Sequence, residues 1–153
     1  MKKRVYIDTS VVGGYFDEEF SVPTKRFFQR VEKKEITLVV SDLMELELAN
    51  APTQVRQLLL QFPHDCFERI ELAEDVVRLA DAYISEGVVG KTSIEDCRHI
   101  ALATVNNVDV LASWNFKHIV NLDRIQGYNS VNLKFGYPII EIPSPEELVK
   151  YEN

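Results

Sequence analysis

The sequence predicts an α/β fold, a three-layer α/β/α sandwich around a mostly parallel central sheet. Three observations lead there. The strand-like runs are short, rich in Val and Ile, and continuous rather than alternating, the pattern of strands covered on both faces. Helical stretches separate them, so strands and helices alternate along the chain. No repeat, low-complexity segment or linker interrupts that alternation over the 153 residues, a length that suits one domain with a sizeable core.

The elements follow in order. Strands are expected at Arg4–Asp8, Ile36–Val40, Phe67–Leu72, Asp109–Ser113 and Ile139–Ile142. Helices are expected at Pro23–Lys34, at Asp42–Gln61 with a break near Pro52, and at Glu74–Glu86, Ser93–Asn107 and Asn121–Asn132. Pro52 starts a fresh helix, since its ring fits a first turn but not an interior. Gly13-Gly14, Gly87, Gly90, Gly127 and Gly136 are expected to punctuate connections. A single domain is expected over residues 1–142, followed by a C-terminal surface tail, 143–153, with room for one short helix.

Composition narrows the function classes. A net charge of −7 argues against a broadly cationic nucleic-acid-binding surface, while leaving room for a local basic patch. No apolar run reaches membrane-spanning length, and Met1-Lys2-Lys3-Arg4 leads into a strand rather than a signal peptide. Cys66 and Cys97 lack metal spacing and are expected to be reduced, as in a cytoplasmic protein.

Four positions carry the functional argument: Asp8, Glu47, Asp96 and Asn115. Open parallel sheets hold ligands at the carboxyl ends of their strands. Asp8 ends the first strand, Glu47 lies within two turns after the second, and Asn115 follows the fourth. Asp96 opens the helix before that fourth strand, and such a helix starts on the same edge. Like charges gathered there repel unless a cation joins them, and hard oxygen ligands suit Mg²⁺ or Mn²⁺. Each position also has an ordinary structural use. Asp8 can serve a strand-to-loop turn. Asp96, three residues after Ser93, resembles a capping box, yet shares a face with Ile100 and Ala103. Asp42 or Glu45 can replace Glu47 as the functional acid, and Asn115 can be a cap.

The segments Val5-Tyr6-Ile7-Asp8-Thr9-Ser10, Val40-Ser41-Asp42-Leu43 through Glu47-Leu48, Asp96-Cys97-Arg98-His99-Ile100-Ala101 and Ser113-Trp114-Asn115-Phe116-Lys117-His118 together resemble the PIN domain, specifically the VapC-type toxin ribonucleases. The resemblance spans nearly the whole chain. It implies a metal-dependent endoribonuclease using Mg²⁺ or Mn²⁺, with Asp8, Glu47 and Asp96 at three acidic positions of the family and Asn115 at the fourth, where an Asp is usual. The family acid six residues after the strand-ending Ser falls on Glu47, which favours it over Glu45. The resemblance also implies RNA as substrate, an antitoxin protein as partner, and a homodimer. Ser10, Lys117 and His118 are candidates for substrate contact, with Lys91, Arg98, Arg124 and Lys134 as further cations near the same edge. Trp114 suits either base stacking or the core, and His99 a structural role.

Two other readings stand beside this one. A PIN-like domain that binds RNA or protein without turnover is suggested by Asn115 and the acidic balance. A phosphotransfer or haloacid-type domain is disfavoured, because Ser10 stands where the latter needs a second Asp.

Overall fold

A computed structural model describes residues 2–150. Four strands, β1 (Lys3–Ile7), β2 (Ile36–Ser41), β3 (Phe67–Ile70) and β4 (Val110–Ala112), form a sheet in the order β3-β2-β1-β4. All three pairings are parallel, with Lys3 opposite Ile36, Leu38 opposite Phe67, and Val5 opposite Val110. Eight α-helices surround them: α1 (Thr9–Gly14), α2 (Ser21–Glu32), α3 (Asp42–Leu48), α4 (Thr53–Leu58), α5 (Glu74–Ser85), α6 (Ile94–Val105), α7 (Leu122–Lys134) and α8 (Pro145–Lys150). Among the described residues no helix is long and apolar enough to cross a membrane.

The continuous apolar strands feed two cores. Successive side chains of a strand point to opposite faces. Tyr6, Val39 and Leu111 therefore pack on one side with α5, α6 and α7, in a core built around Leu79, Tyr83, Ile100, Leu102 and Tyr128. Val5, Ile7, Leu38, Val110 and Ala112 face the other side, packed with Val11, Phe27, Phe28, Val31, Met44 and Leu58 from α1 to α4. Both faces are covered, and the expected three layers result.

Three differences from the expected elements have clear causes. Gly13 and Gly14 do not break the chain but close the short helix α1, which the glycines had masked. Gly14 is needed for packing: a Cβ there would lie 2.6 Å from Nε1 of Trp114 and 3.0 Å from Oγ1 of Thr24. Gly14→Ala is accordingly expected to cost about 1–3 kcal/mol through overpacking, read as a lowered denaturation midpoint at unchanged slope.

The fifth expected strand, Ile139–Ile142, reduces to one parallel bridge between Glu141 and Val110. Asn129 of α7 takes both backbone groups of Ile140, donating to its carbonyl (3.1 Å) and accepting its N–H (2.8 Å). The carbonyls of Glu141 and Pro143 accept the N–H groups of Leu111 (3.0 Å) and Ser113 (3.3 Å), so this segment runs along β4 with its outward backbone groups bound to a side chain. At the C-terminus, the segment expected as a surface tail forms α8, which packs on α2 with Val149 buried. Its last residues, 151–153, lie outside the described ones.

Candidate active site

The strand order creates a topological switch. The chain moves from β1 outward to β2 and β3, then returns to place β4 on the other side of β1. Ligands of open α/β sheets sit at such a point, beyond the carboxyl ends of the strands. Asp8 follows β1 there, and Ser113, Trp114 and Asn115 follow β4. Helix α6 runs back against the sheet to feed β4, which brings Asp96, in its first turn, to the same edge.

Asp8 is 5% exposed and held from two sides. Ser10 Oγ donates to one carboxylate oxygen (2.5 Å) and Ser113 Oγ to the other (2.7 Å). Those hydroxyls also bind the exit of β4: Ser10 Oγ accepts the Trp114 N–H (2.9 Å) and Ser113 Oγ the Asn115 N–H (2.9 Å). The two loops are thus tied together through the carboxylate. Burial pushes the Asp8 acid above its usual range, against the opposing pull of His99 and of its hydrogen bonds from Ser10, Ser113 and the Val11 backbone. Asp96 is pushed the same way, first by burial and further by the charge of Asp8, while His118, His99 and the Asn115 side chain favour its ionised form. Asp96 therefore senses the charge of Asp8.

Glu47 is differently placed. His99 Nε2 lies 2.7 Å from its Oε1, and Thr9 Oγ1 donates to the same oxygen (2.5 Å). Burial would raise this acid, but the bond and charge of His99, with Thr9, outweigh it and hold Glu47 below the ordinary glutamate range. His99 is in turn 3% exposed, and its Nδ1 lies 2.6 Å from the Tyr6 hydroxyl, which is 2.8 Å from Ser41 Oγ. Ser41 also caps α3 by accepting the Met44 N–H (3.1 Å). A buried chain from Ser41 through Tyr6 and His99 thus fixes the rotamer of Glu47. Burial lowers the His99 imidazole, but Glu47 and the charges of Asp8 and Asp96 raise it above its usual value overall.

The alternatives to Glu47 are engaged elsewhere. Asp42 accepts the N–H groups of Leu43 and Leu72 (2.9 Å each) and so secures the chain after β3. Glu45 forms an exposed pair with Arg69 (2.7 and 3.1 Å).

Asn115 lies at the rim, with its amide oxygen accepting the backbone N–H of Lys117 (3.2 Å) and of His118 (3.0 Å). Both lone pairs are used by that turn, which leaves the NH₂ group, not the oxygen, free to face Asp96. Among the described residues no group of three or more His, Cys, Asp and Glu side chains is arranged to hold a metal ion. The pair Asp8 and Asp96 still fits one: Mg²⁺ is commonly held by one or two carboxylates with waters and substrate phosphates, and a buried Asp8 whose charge raises the half-buried Asp96 gains from a cation between them.

Of the expected cations, Lys117 is exposed beside Asn115, and His118 is close enough to Asp96 to influence its ionisation. His118 Nδ1 and Arg98 Nε are buried without a hydrogen-bond partner. Arg124 donates to the Val88 carbonyl, and Lys134 pairs with Glu86 on the far end of α7. Ser10 is occupied by Asp8 and the Trp114 backbone, as described. Trp114 is core: it is 7% exposed, stacks on Phe20, and donates its indole N–H to Thr24 (2.9 Å). The sequence reading gave no role to Ser113. A hydroxyl immediately after an apolar strand, next to the candidate Asn115, was the available signal.

No protein-family model matches the sequence, and no curated protein matches it significantly. Solved structures do. Mycobacterium tuberculosis VapC20, a sarcin–ricin-loop-cleaving toxin, aligns at a TM-score of 0.56 and 12% identity over 74% of this chain and 91% of its own. VapBC2 from Rickettsia felis, solved with a DNA fragment from its promoter, aligns at a TM-score of 0.54 and 12% identity over 92% and 98%. At such identity the likeness concerns the backbone, and it establishes the architecture: this chain has the PIN-type fold of the VapC toxins.

Proposed function

We propose that this protein is a Mg²⁺- or Mn²⁺-dependent endoribonuclease that hydrolyses RNA phosphodiester bonds, as the toxin of a toxin–antitoxin pair. The observation that supports it most is the meeting of Asp8 and Asp96 at the switch point of the sheet, both with ionisation suppressed by burial and Asp96 further by the charge of Asp8. In this reading Asp8 and Asp96 hold the cation. A bound divalent ion supplies Lewis-acid stabilisation of phosphate charge and a more acidic water.

The remaining residues position. Ser10 and Ser113 fix both oxygens of Asp8, so the carboxylate needs no reorganisation when it engages a ligand. Glu47, set by His99 and Thr9, borders the pair and is available to orient a water or accept its proton. Asn115 directs its amide toward Asp96 and shapes the turn that presents Lys117 and His118, which face the flanking phosphates. An inhibitory protein partner and a homodimer belong to the same proposal.

Purified protein incubated with RNA and Mg²⁺ or Mn²⁺ tests the reading. Cleavage abolished by chelator is expected; its absence over a broad RNA panel, with folded protein free of any partner, would favour a binding module instead. Glu47→Gln is expected to lower the rate about 10- to 100-fold, the scale of losing an outer partner of a metal site.

Metal affinity should depend on pH with a definite sign. Burial holds both Asp8 and Asp96 protonated to higher pH than ordinary aspartates, and a cation must displace those protons. Mg²⁺ affinity is therefore expected to rise with pH through the raised titrations of the two acids and level off once both are ionised. Calorimetry in buffers of different ionisation enthalpy would register the released protons; an affinity independent of pH would remove Asp8 and Asp96 as ligands.

A further inference from the structure

The aromatic residues after β4 form a graded series. Phe20 stacks on Trp114 with ring centroids 4.2 Å apart and planes 19° from parallel. Phe116 meets Trp114 edge-on at 6.0 Å and Phe20 at 6.3 Å. The inner member is anchored, because the Trp114 indole is bonded to Thr24 and backed by Gly14. The outer member is not buried: Phe116 is 49% exposed.

Leaving half a phenylalanine in water forgoes on the order of 1 kcal/mol of burial. The position of this ring explains what it is for. Phe116 follows Asn115, whose amide faces Asp96, and precedes the exposed Lys117. A braced aromatic face, a cation and a pair of carboxylates thus occupy one rim. An aromatic face next to a phosphate-binding cation matches a nucleotide: the ring stacks the base and the cation meets the backbone.

We propose that Phe116 is a substrate-positioning residue that stacks an unpaired RNA base beside the scissile bond. A base inside a duplex is already stacked on its neighbours and cannot present its face. This inference rests on the ribonuclease reading for its purpose, but stacking is measurable without turnover.

The test uses the full-length chain made inactive by Asp8→Asn, with Mg²⁺ present, and single-stranded RNA oligonucleotides carrying 2-aminopurine at successive positions. Quenching at one position is expected on binding, lost in Phe116→Ala and retained in Phe116→Trp. Affinity should fall about five- to a hundredfold for Phe116→Ala, the scale of one lost base–aromatic stack. In the otherwise native chain, Phe116→Ala should raise KM more than it lowers kcat, with the thermal midpoint lowered by only a few degrees, the scale of losing the buried half of the ring. Annealing the complementary strand should abolish the quenching. The two readings separate cleanly. Quenching that depends on Phe116, without cleavage by the native chain, keeps the stacking role and sinks the nuclease. Metal-dependent cleavage that Phe116→Ala leaves unchanged, or quenching that persists in that variant or in the duplex, overturns the stacking role alone.

Discussion

Asp8→Asn is expected to reduce RNA cleavage by about a hundred- to a thousandfold, the scale of losing one preorganised electrostatic contact in a water-excluded site. The isosteric amide retains acceptance from one serine, so the fold should hold. Above the raised Asp8 titration, stability should even rise slightly, because there an ionised carboxylate buried at 5% exposure is replaced by a neutral group. The sign is checkable. The Asp8 acid is raised in the folded state, so folding of the native chain is penalised above that raised value and the penalty fades as pH falls through it. Asp8→Asn removes this dependence. A variant that cuts RNA at the native rate would take Asp8 out of the mechanism. One that loses activity together with its thermal midpoint would assign the carboxylate to the fold.

His99→Ala is expected to carry the largest cost in stability, about 2–4 kcal/mol. It empties a buried ring site and leaves the Tyr6 hydroxyl without one partner. Glu47, still 29% exposed, can be rehydrated, so the lost ion pair adds little to that figure. The consequence for activity follows from geometry: freed from His99, Glu47 is no longer directed along the site edge. The pH profile separates this pair from ordinary packing. Glu47 is lowered on folding, so its contribution is present above the usual glutamate range and lost as pH falls through the lowered value. His99 is raised, so its contribution is present below the usual imidazole range and lost as pH rises through the raised value. Stability of the native chain should therefore fall off beyond both limits. His99→Ala should flatten the dependence at both ends, as read by urea denaturation across pH. A profile parallel to the native one would reject the pair as the source.

The tautomers of the chain are consistent with either state of His99. With His99 neutral, Nε2–H donates to Glu47 and Nδ1 accepts the Tyr6 hydroxyl proton. With His99 charged, Nδ1–H donates to Tyr6, whose own proton turns to Ser41. Both arrangements satisfy every buried group, which is why the network holds Glu47 over a wide pH range.

Much of the architecture was legible in the sequence, because it is set by local pattern. Continuous Val- and Ile-rich runs separated by helical periods dictate strands covered on both faces, and the four runs that form the sheet were placed within two residues at each end. The same locality limits the reading. Two glycines concealed α1, since what makes Gly14 necessary is the indole of Trp114, a hundred residues away in the chain. Ile139–Ile142 has strand composition and bonds to β4 through the Glu141 carbonyl, but its outward groups are taken by Asn129 and only one bridge forms. The end of the chain looked like a tail until α8 met α2.

For the candidate site, sequence position pointed Asp8, Asp96, Asn115 and an acid after β2 to one edge, because parallel strands return every crossover to the same end of the sheet, and the family resemblance chose Glu47 over Asp42 and Glu45. Tertiary structure decided how each is used. Asp8 is held by Ser10 and Ser113, Asp96 feels the charge of Asp8, Glu47 is bound to His99, and the Asn115 oxygen is spent on its own turn. Ionisation and hydrogen bonding depend on distances of a few ångströms between groups far apart in the chain. Residue type and spacing therefore select the edge on which these side chains gather, and only the packed fold settles which of them face a ligand and which face each other.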